Sequence, residues 1–166
     1  MRYFLWNQLS KEHKFERSGH HLKNRDRILQ IVRPVNVERC ISCFSCIFAC
    51  SRRTGHVDLG HAALRIKSTP PPTAGGSGGN YVVIMCRACI EPVCLEACQY
   101  DAIRKRSGGG ITINQNKCVG CGDCARACPL TAIFIDPLRK KATVCVHCGE
   151  CVDWCPHNIL IKEEVK

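Results

Sequence analysis

Aromatic side chains are scarce in this sequence: Phe, Tyr and Trp together make up 6% of it, and there are only 2 methionines. These residues supply much of the bulk of an ordinary core, so the interior must be built from something else. Long apolar runs are missing as well. The only early one, residues 3–6, is broken at once by Asn7 and Gln8, well short of the roughly 7–15 apolar residues of an export signal. No stretch approaches the roughly 20 apolar residues of a membrane span. The paired Arg52 and Arg53 follow Cys50 and are not read as an export signal. A cytoplasmic protein without a membrane span is therefore expected. Catalytic signatures are absent too. There is no nucleophile with its base and no pair of carboxylates, and the Gly108 to Gly110 run lacks the lysine of a phosphate-binding loop. No catalytic residue is expected in this chain.

What is abundant is cysteine, 16 of 166 residues. A fraction near a tenth marks an interior held by cross-links. The cross-links could be disulfides, zinc or iron–sulfur clusters, and disulfides need an oxidising compartment. The cysteines fall into four groups: Cys40, Cys43, Cys46 and Cys50; Cys86, Cys89, Cys94 and Cys98; Cys118, Cys121, Cys124 and Cys128; Cys145, Cys148, Cys151 and Cys155. Groups one, three and four read C-x2-C-x2-C-x3-C, and group two widens the middle gap to four residues. Three cysteines within seven residues let one loop wrap three corners of a cube. The fourth follows about one helical turn later and faces away, towards a second cube. In bacterial two-cluster ferredoxins that fourth cysteine ligates the other cluster, and a proline follows it. Pro129 and Pro156 follow groups three and four, whereas groups one and two have Ser51 and Gln99 there. Zinc sites also use C-x2-C pairs, but they bring two separated pairs to one ion. The present spacing leaves no such pairing, so the sixteen cysteines are expected to hold the iron of four [4Fe–4S] clusters.

That expectation changes the meaning of the charge. The formal net charge is +10, which alone would suggest a nucleic acid or an acidic surface. A cluster with its four thiolates carries about −2, so four of them offset about eight of those charges. No nucleic-acid partner is expected.

Short segments repeat between the groups. Residues 81–85 read as a strand entering group two. Residues 102–106 and 111–114 flank Ser107 and three glycines, and residues 132–135 and 141–144 flank Asp136, Pro137 and Leu138. Both are hairpin patterns. Residues 24–32 read as a short helix stopping before Pro34. By the swapping rule, groups two and three pair across a hairpin. Cys86, Cys89 and Cys94 then take Cys128, and Cys118, Cys121 and Cys124 take Cys98. Groups one and four pair in the same way: Cys40, Cys43 and Cys46 take Cys155, and Cys145, Cys148 and Cys151 take Cys50. The alternative, group one with two and three with four, stays open on the residues alone.

The sixteen-cysteine order, with group two read as Met85-Cys86-Arg87-Ala88-Cys89-Ile90-Glu91-Pro92-Val93-Cys94, resembles the four-cluster electron-transfer subunits of molybdenum and tungsten pterin enzymes. Its short length is most similar to the small iron–sulfur subunit of bacterial tungsten aldehyde oxidoreductases. The resemblance covers roughly residues 37–162. It implies the nested pairing just given, a large tungsten- or molybdenum-pterin catalytic partner and, further along the path, a flavin- or NAD-binding subunit. The implied role is relaying single electrons between the catalytic partner and that second one or an external carrier, in anaerobic metabolism. The readings weighed against it are a free soluble polyferredoxin and a self-associating scaffold that wires several catalytic units into a filament.

The expected fold is α+β: two ferredoxin-like modules of the bacterial two-cluster type, with short helices and β-hairpins around the clusters. Residues 1–36 read as a basic and aromatic extension that either packs on its own domain or clasps a partner subunit as an arm. Residues 37–68 with 139–166 form the first module, 69–80 a Pro/Gly linker, and 81–138 the second module. His147 and His157 sit beside cluster cysteines and are weighed as hydrogen-bond donors or loop histidines, not ligands. His20 and His21 read as solvated. The run Arg104, Lys105 and Arg106 reads as a docking patch for an acidic partner or as a solvated face.

Overall fold

The structure is a computed structural model, and it describes residues 29–69 and 80–165. The expected solvated pair His20 and His21, most of the N-terminal extension and the glycine-rich part of the linker lie outside the described residues.

Eight short strands pair into four antiparallel two-stranded ribbons. β1 (Gln30–Pro34) pairs with β8 (Leu160–Glu164), and β2 (Arg65–Thr69) with β3 (Asn80–Ile84). β4 (Ile103–Lys105) pairs with β5 (Ile111–Ile113), and β6 (Ile133–Ile135) with β7 (Ala142–Val144). The last two are the hairpins expected from the glycine and proline turns. Four helices alternate with the ribbons: α1 (Ser45–Arg53), α2 (Val93–Glu96), α3 (Asp123–Ala127) and α4 (Glu150–Asp153). This is an α+β arrangement, as expected.

The expected helix over residues 24–32 is overturned in its C-terminal part. Gln30 to Val32 lie in β1, with Ile31 and Val32 buried. The sequence pattern misleads because Pro34 reads as a helix stop, whereas it ends an edge strand opposite Leu160, where a missing N–H is tolerated. The partner strand lies at the far end of the chain, beyond any local signal.

Apolar burial falls into two clusters. In one, Val32, Ile47, Leu64, Val83, Met85, Ile159 and Leu160 surround Cys46, Cys145 and Cys151. In the other, Ile103, Ile111, Ile133, Ala142 and Val144 surround Cys94 and Cys124. Helix α1 packs on α4 beside the first cluster, and α2 on α3 beside the second. Cys86 packs against both. The cysteines thus take the place that bulky aromatics hold elsewhere.

Candidate metal-cluster site

Each cysteine group forms a loop that ends in a helix, and the loops share one backbone device. The residue before the second cysteine is left-handed in all four groups: Ser42, Ala88, Gly120 and His147, with φ of 57, 54, 75 and 56°. In groups one, three and four the residue after it is left-handed too, Phe44, Gly122 and Gly149 at 61, 84 and 89°. Group two uses its wider gap to enter α2 through extended Pro92 instead. Left-handed residues set into a turn point successive N–H groups into one concavity, which is how backbone binds anionic centres. Non-glycine residues in that region cost about 1–2 kcal/mol each, so the loops store strain that a bound group must offset.

The third cysteine of each group (Cys46, Cys94, Cys124, Cys151) is buried at the start of its helix. The second (Cys43, Cys89, Cys121, Cys148) is exposed, and the fourth (Cys50, Cys98, Cys128, Cys155) is half-buried. Backbone amides donate to several sulfurs. Ala63 N–H donates to Cys50 Sγ at 3.2 Å, Ala132 N–H to Cys128 at 3.5 Å and Ile159 N–H to Cys155 at 3.4 Å. Ala142 N–H donates to Cys118, and His147 N–H to Cys145, each at 3.4 Å.

The thiols also act on one another's charge. Burial pushes Cys46 up to about 12, and Cys155, Cys43 and Cys40 push it the same way. Burial raises Cys151, helped by Cys145, Cys50 and Cys148. Burial brings Cys94 up to about 11, with Cys128 and Cys86 next, and Cys86 in turn feels Cys89. Burial raises Cys124, followed by Cys118, Cys121 and Cys98. None of the sixteen thiols is in a disulfide, and these couplings favour the grouping expected above: Cys40, Cys43, Cys46, Cys155 (site I); Cys50, Cys145, Cys148, Cys151 (site II); Cys86, Cys89, Cys94, Cys128 (site III); Cys98, Cys118, Cys121, Cys124 (site IV). In that grouping the fourth cysteine of each group joins another group's loop, one with four and two with three.

Weaker couplings order the tetrads. Cys151 of site II feels Cys46 of site I. Cys145 of site II feels Cys86 of site III. Cys94 of site III feels Cys124 of site IV. These couplings favour an order of sites from I to IV.

The donor set fits an iron–sulfur cluster. Site IV faces a hollow walled by Ala102, Ile103, Ile113 and Ala142. Site II faces one walled by Val32, Ala63, Leu64 and Val144. Neutral thiols suit such apolar walls only while protonated, and a bound cationic core is what makes four thiolates tolerable there. Two buried side-chain donors, Arg106 Nε and His147 Nε2, have no acceptor among the described residues.

Arg106 is a residue that the sequence misplaced. Arg104 and Lys105 are exposed, as a solvated or docking face would be, but Arg106 turns inward. Its Nη1 donates to Val146 O and its Nη2 to Gln30 O at 2.6 Å. Nothing in a three-residue basic run distinguishes the inward one. His147 is buried, and its Nδ1 accepts the Val32 N–H at 3.0 Å. Burial pushes this histidine down to about 4, with the Arg106 charge acting the same way, so the ring is neutral. His157 keeps the loop character expected of it and makes no side-chain hydrogen bond among the described residues.

A second group of polar side chains carries no signal in the sequence. His56, Asp58 and His61 bring three ligand-type atoms within 4.8 Å of one another. The rings of His56 and His61 are stacked, with centroids 3.7 Å apart and 7° between planes. A metal about 2 Å from both nitrogens would lie far out of both ring planes, away from the lone pairs, and Arg139 Nη2 already donates to His56 Nε2 at 2.7 Å. The arrangement is a clasp. His61 Nδ1 meets Asp58 at 2.6 Å, its Nε2 faces buried Asp136 at 3.5 Å, and Asp136 and Arg139 lie on the β6–β7 turn. Arg65 on β2 stacks over Phe134 on β6 at 4.4 Å. These contacts tie the loop after α1 to the neighbouring hairpin.

No helix among the described residues is long and apolar enough to cross a membrane. The chain is 31% identical over 121 residues to the B chain of tetrathionate reductase from Archaeoglobus fulgidus, covering 73% of this chain and 55% of that protein. It is 33% identical over 115 residues to the uncharacterised ferredoxin-like protein YdhY of Escherichia coli, covering 63% of this chain and 55% of that one. It is 43% identical over 63 residues to the beta subunit of perchlorate reductase from Dechloromonas aromatica, covering 37% and 19%. The chain spans about half the length of the first two of these relatives. The 4Fe-4S dicluster domain matches residues 79–161, and with half of its length inside that domain the chain belongs to the 4Fe-4S dicluster family.

Proposed function

We propose that this chain is the electron-transfer subunit of an oxidoreductase complex and carries four [4Fe–4S] clusters, one on each thiol tetrad. It relays single electrons between a tungsten- or molybdenum-pterin catalytic subunit, of the aldehyde-oxidoreductase type, and a flavin subunit or external carrier, and it works in the cytoplasm. Two two-cluster modules, residues 37–68 with 139–166 and residues 81–138, make up the wire. The observation that carries this reading is that the cysteine groups sit in two adjoining apolar cores, with Cys86 packed against both. Kinship with subunits of tetrathionate and perchlorate reductases supports a catalytic partner. Tungsten and the aldehyde chemistry rest on the sequence resemblance alone.

The clusters would supply one-electron reduction and oxidation. The chain's own residues bury the third cysteine of each group and leave the second exposed at every site, sites I and IV included. At site I, Cys43 is exposed beside Ile41, which is 61% exposed; at site IV, Cys121 is exposed beside Val119, which is 57% exposed. An apolar residue beside an accessible ligand lets a partner exclude water where the electron crosses. Anaerobic purification of the native protein tests the reading. A larger co-eluting subunit containing tungsten or molybdenum is the expected result. A lone chain with full iron points to a free polyferredoxin, and filaments lost on deleting residues 1–36 point to the scaffold.

A further inference from the structure

The two orphaned donors lie where an electron must pass from one module to the other. Buried polar groups nearly always find a partner, and leaving one unmet costs about 1–3 kcal/mol. Here two are unmet in the same place, Arg106 Nε and His147 Nε2. The backbone of Arg106 belongs to the hairpin that covers site III: its N–H donates to Gly110 O, and Gly110 N–H donates to Cys89 O. Its side chain belongs to site II, because Nη1 is bonded to Val146 between Cys145 and Cys148. Two carbonyl bonds therefore fix the guanidinium across the module junction. Its charge is felt at Cys86, the site III ligand nearest site II. His147 uses Nδ1 to accept from Val32, so the ring proton sits on the orphaned Nε2.

We propose that Arg106 is a positioning residue for the step between the modules. Its fixed charge, which acts on Cys86, and its unmet Nε–H, with the unmet His147 Nε2–H, would stabilise the reduced state of a cluster held by the site III thiols. The inference rests on the four-cluster reading. The step is one electron: the site II cluster is oxidised as the site III cluster is reduced, or the reverse. No proton need accompany it, because an arginine stays charged throughout. Each added electron makes a cluster more negative, so a permanent cation and two donors beside one cluster raise its potential relative to the other three. The outcome is an ordering of potentials along the wire, set by a residue that is not a ligand.

The test is a potentiometric titration, followed by electron paramagnetic resonance, of the anaerobically purified full chain and three variants. Wild-type protein lacking about sixteen irons would fail the four-cluster reading itself, separately from this inference. With iron in place, Arg106→Gln is expected to move one of four couples to more negative potential and leave three unchanged. Arg106→Lys keeps the charge but loses Nε–H and is expected to move the same couple by less. Arg104→Gln, the same charge removed from an exposed place on β4 two residues earlier, is expected to move none. Four unchanged couples in Arg106→Gln with full iron would overturn the inference. If that variant does not retain its clusters, Arg106→Lys decides: an unmoved set of couples overturns it, and a shift confined to one couple supports it.

Discussion

Replacing Gly120 by alanine probes how tightly a cluster loop is built. Gly120 precedes Cys121 and has φ of +75°; a Cβ there would come within 1.8 Å of Lys140 O and 2.9 Å of Lys140 C. Both are backbone atoms of the β6–β7 turn, which the clasp around Asp136 holds in place, so the loop and the turn must separate by more than an ångström. The left-handed backbone costs alanine about 1–2 kcal/mol, and overpacking against a fixed neighbour adds about 1–3 kcal/mol. Gly122, on the other side of Cys121, provides the control. It is also left-handed, at +84°, but its Cβ would meet only the flexible Arg126 Nη1 at 3.3 Å. Gly122→Ala should therefore lose only the conformational part, about 1–2 kcal/mol. At roughly 2–4 °C per kcal/mol for a chain of this size, melting of the anaerobic holoprotein should separate the two variants. Gly120→Ala should in addition lose iron from site IV. Equal melting points and equal iron would refute the close packing of that loop on the β6–β7 turn.

Other outcomes follow from the same geometry. Cys121→Ser should damage one cluster and leave the rest, lowering iron by about a quarter; loss of all the iron would rule out independent tetrads. Thr131, β-branched and exposed with φ of 49°, is strained, so Thr131→Asn should raise stability by about 1 kcal/mol, read as a higher melting temperature. Val119→Glu places a charge beside the exposed edge of site IV and should slow electron exchange with a partner or artificial carrier while iron content and spectrum stay unchanged. An effect on the spectrum would mean that Val119 supports the cluster itself.

The thiol chemistry was legible because it is written in spacing. Four cysteine groups and two turn patterns are local, and the β4–β5 and β6–β7 hairpins follow from them, whereas the residues alone left open which groups pair. The ribbon of β1 and β8 was not legible, since Val32 and Lys162 are paired from opposite ends of the chain and neither segment carries a pairing signal. The left-handed loop positions were half legible. Glycine marks residues 120, 122 and 149, but Ser42, Phe44, Ala88 and His147 adopt the same backbone without it, because the loop's other constraints impose the strain. Arg106 and Asp136 look like ordinary surface charges in the sequence. Only the tertiary structure turns one to the module junction and buries the other against His61.

Metal analysis of the anaerobically purified native protein tests the central claim most directly, with iron, acid-labile sulfide, zinc, tungsten and molybdenum quantified together. About sixteen irons and sixteen sulfides per chain, with tungsten or molybdenum in a larger co-purifying subunit, is the result expected. Zinc in place of iron would contradict the four-cluster wire outright.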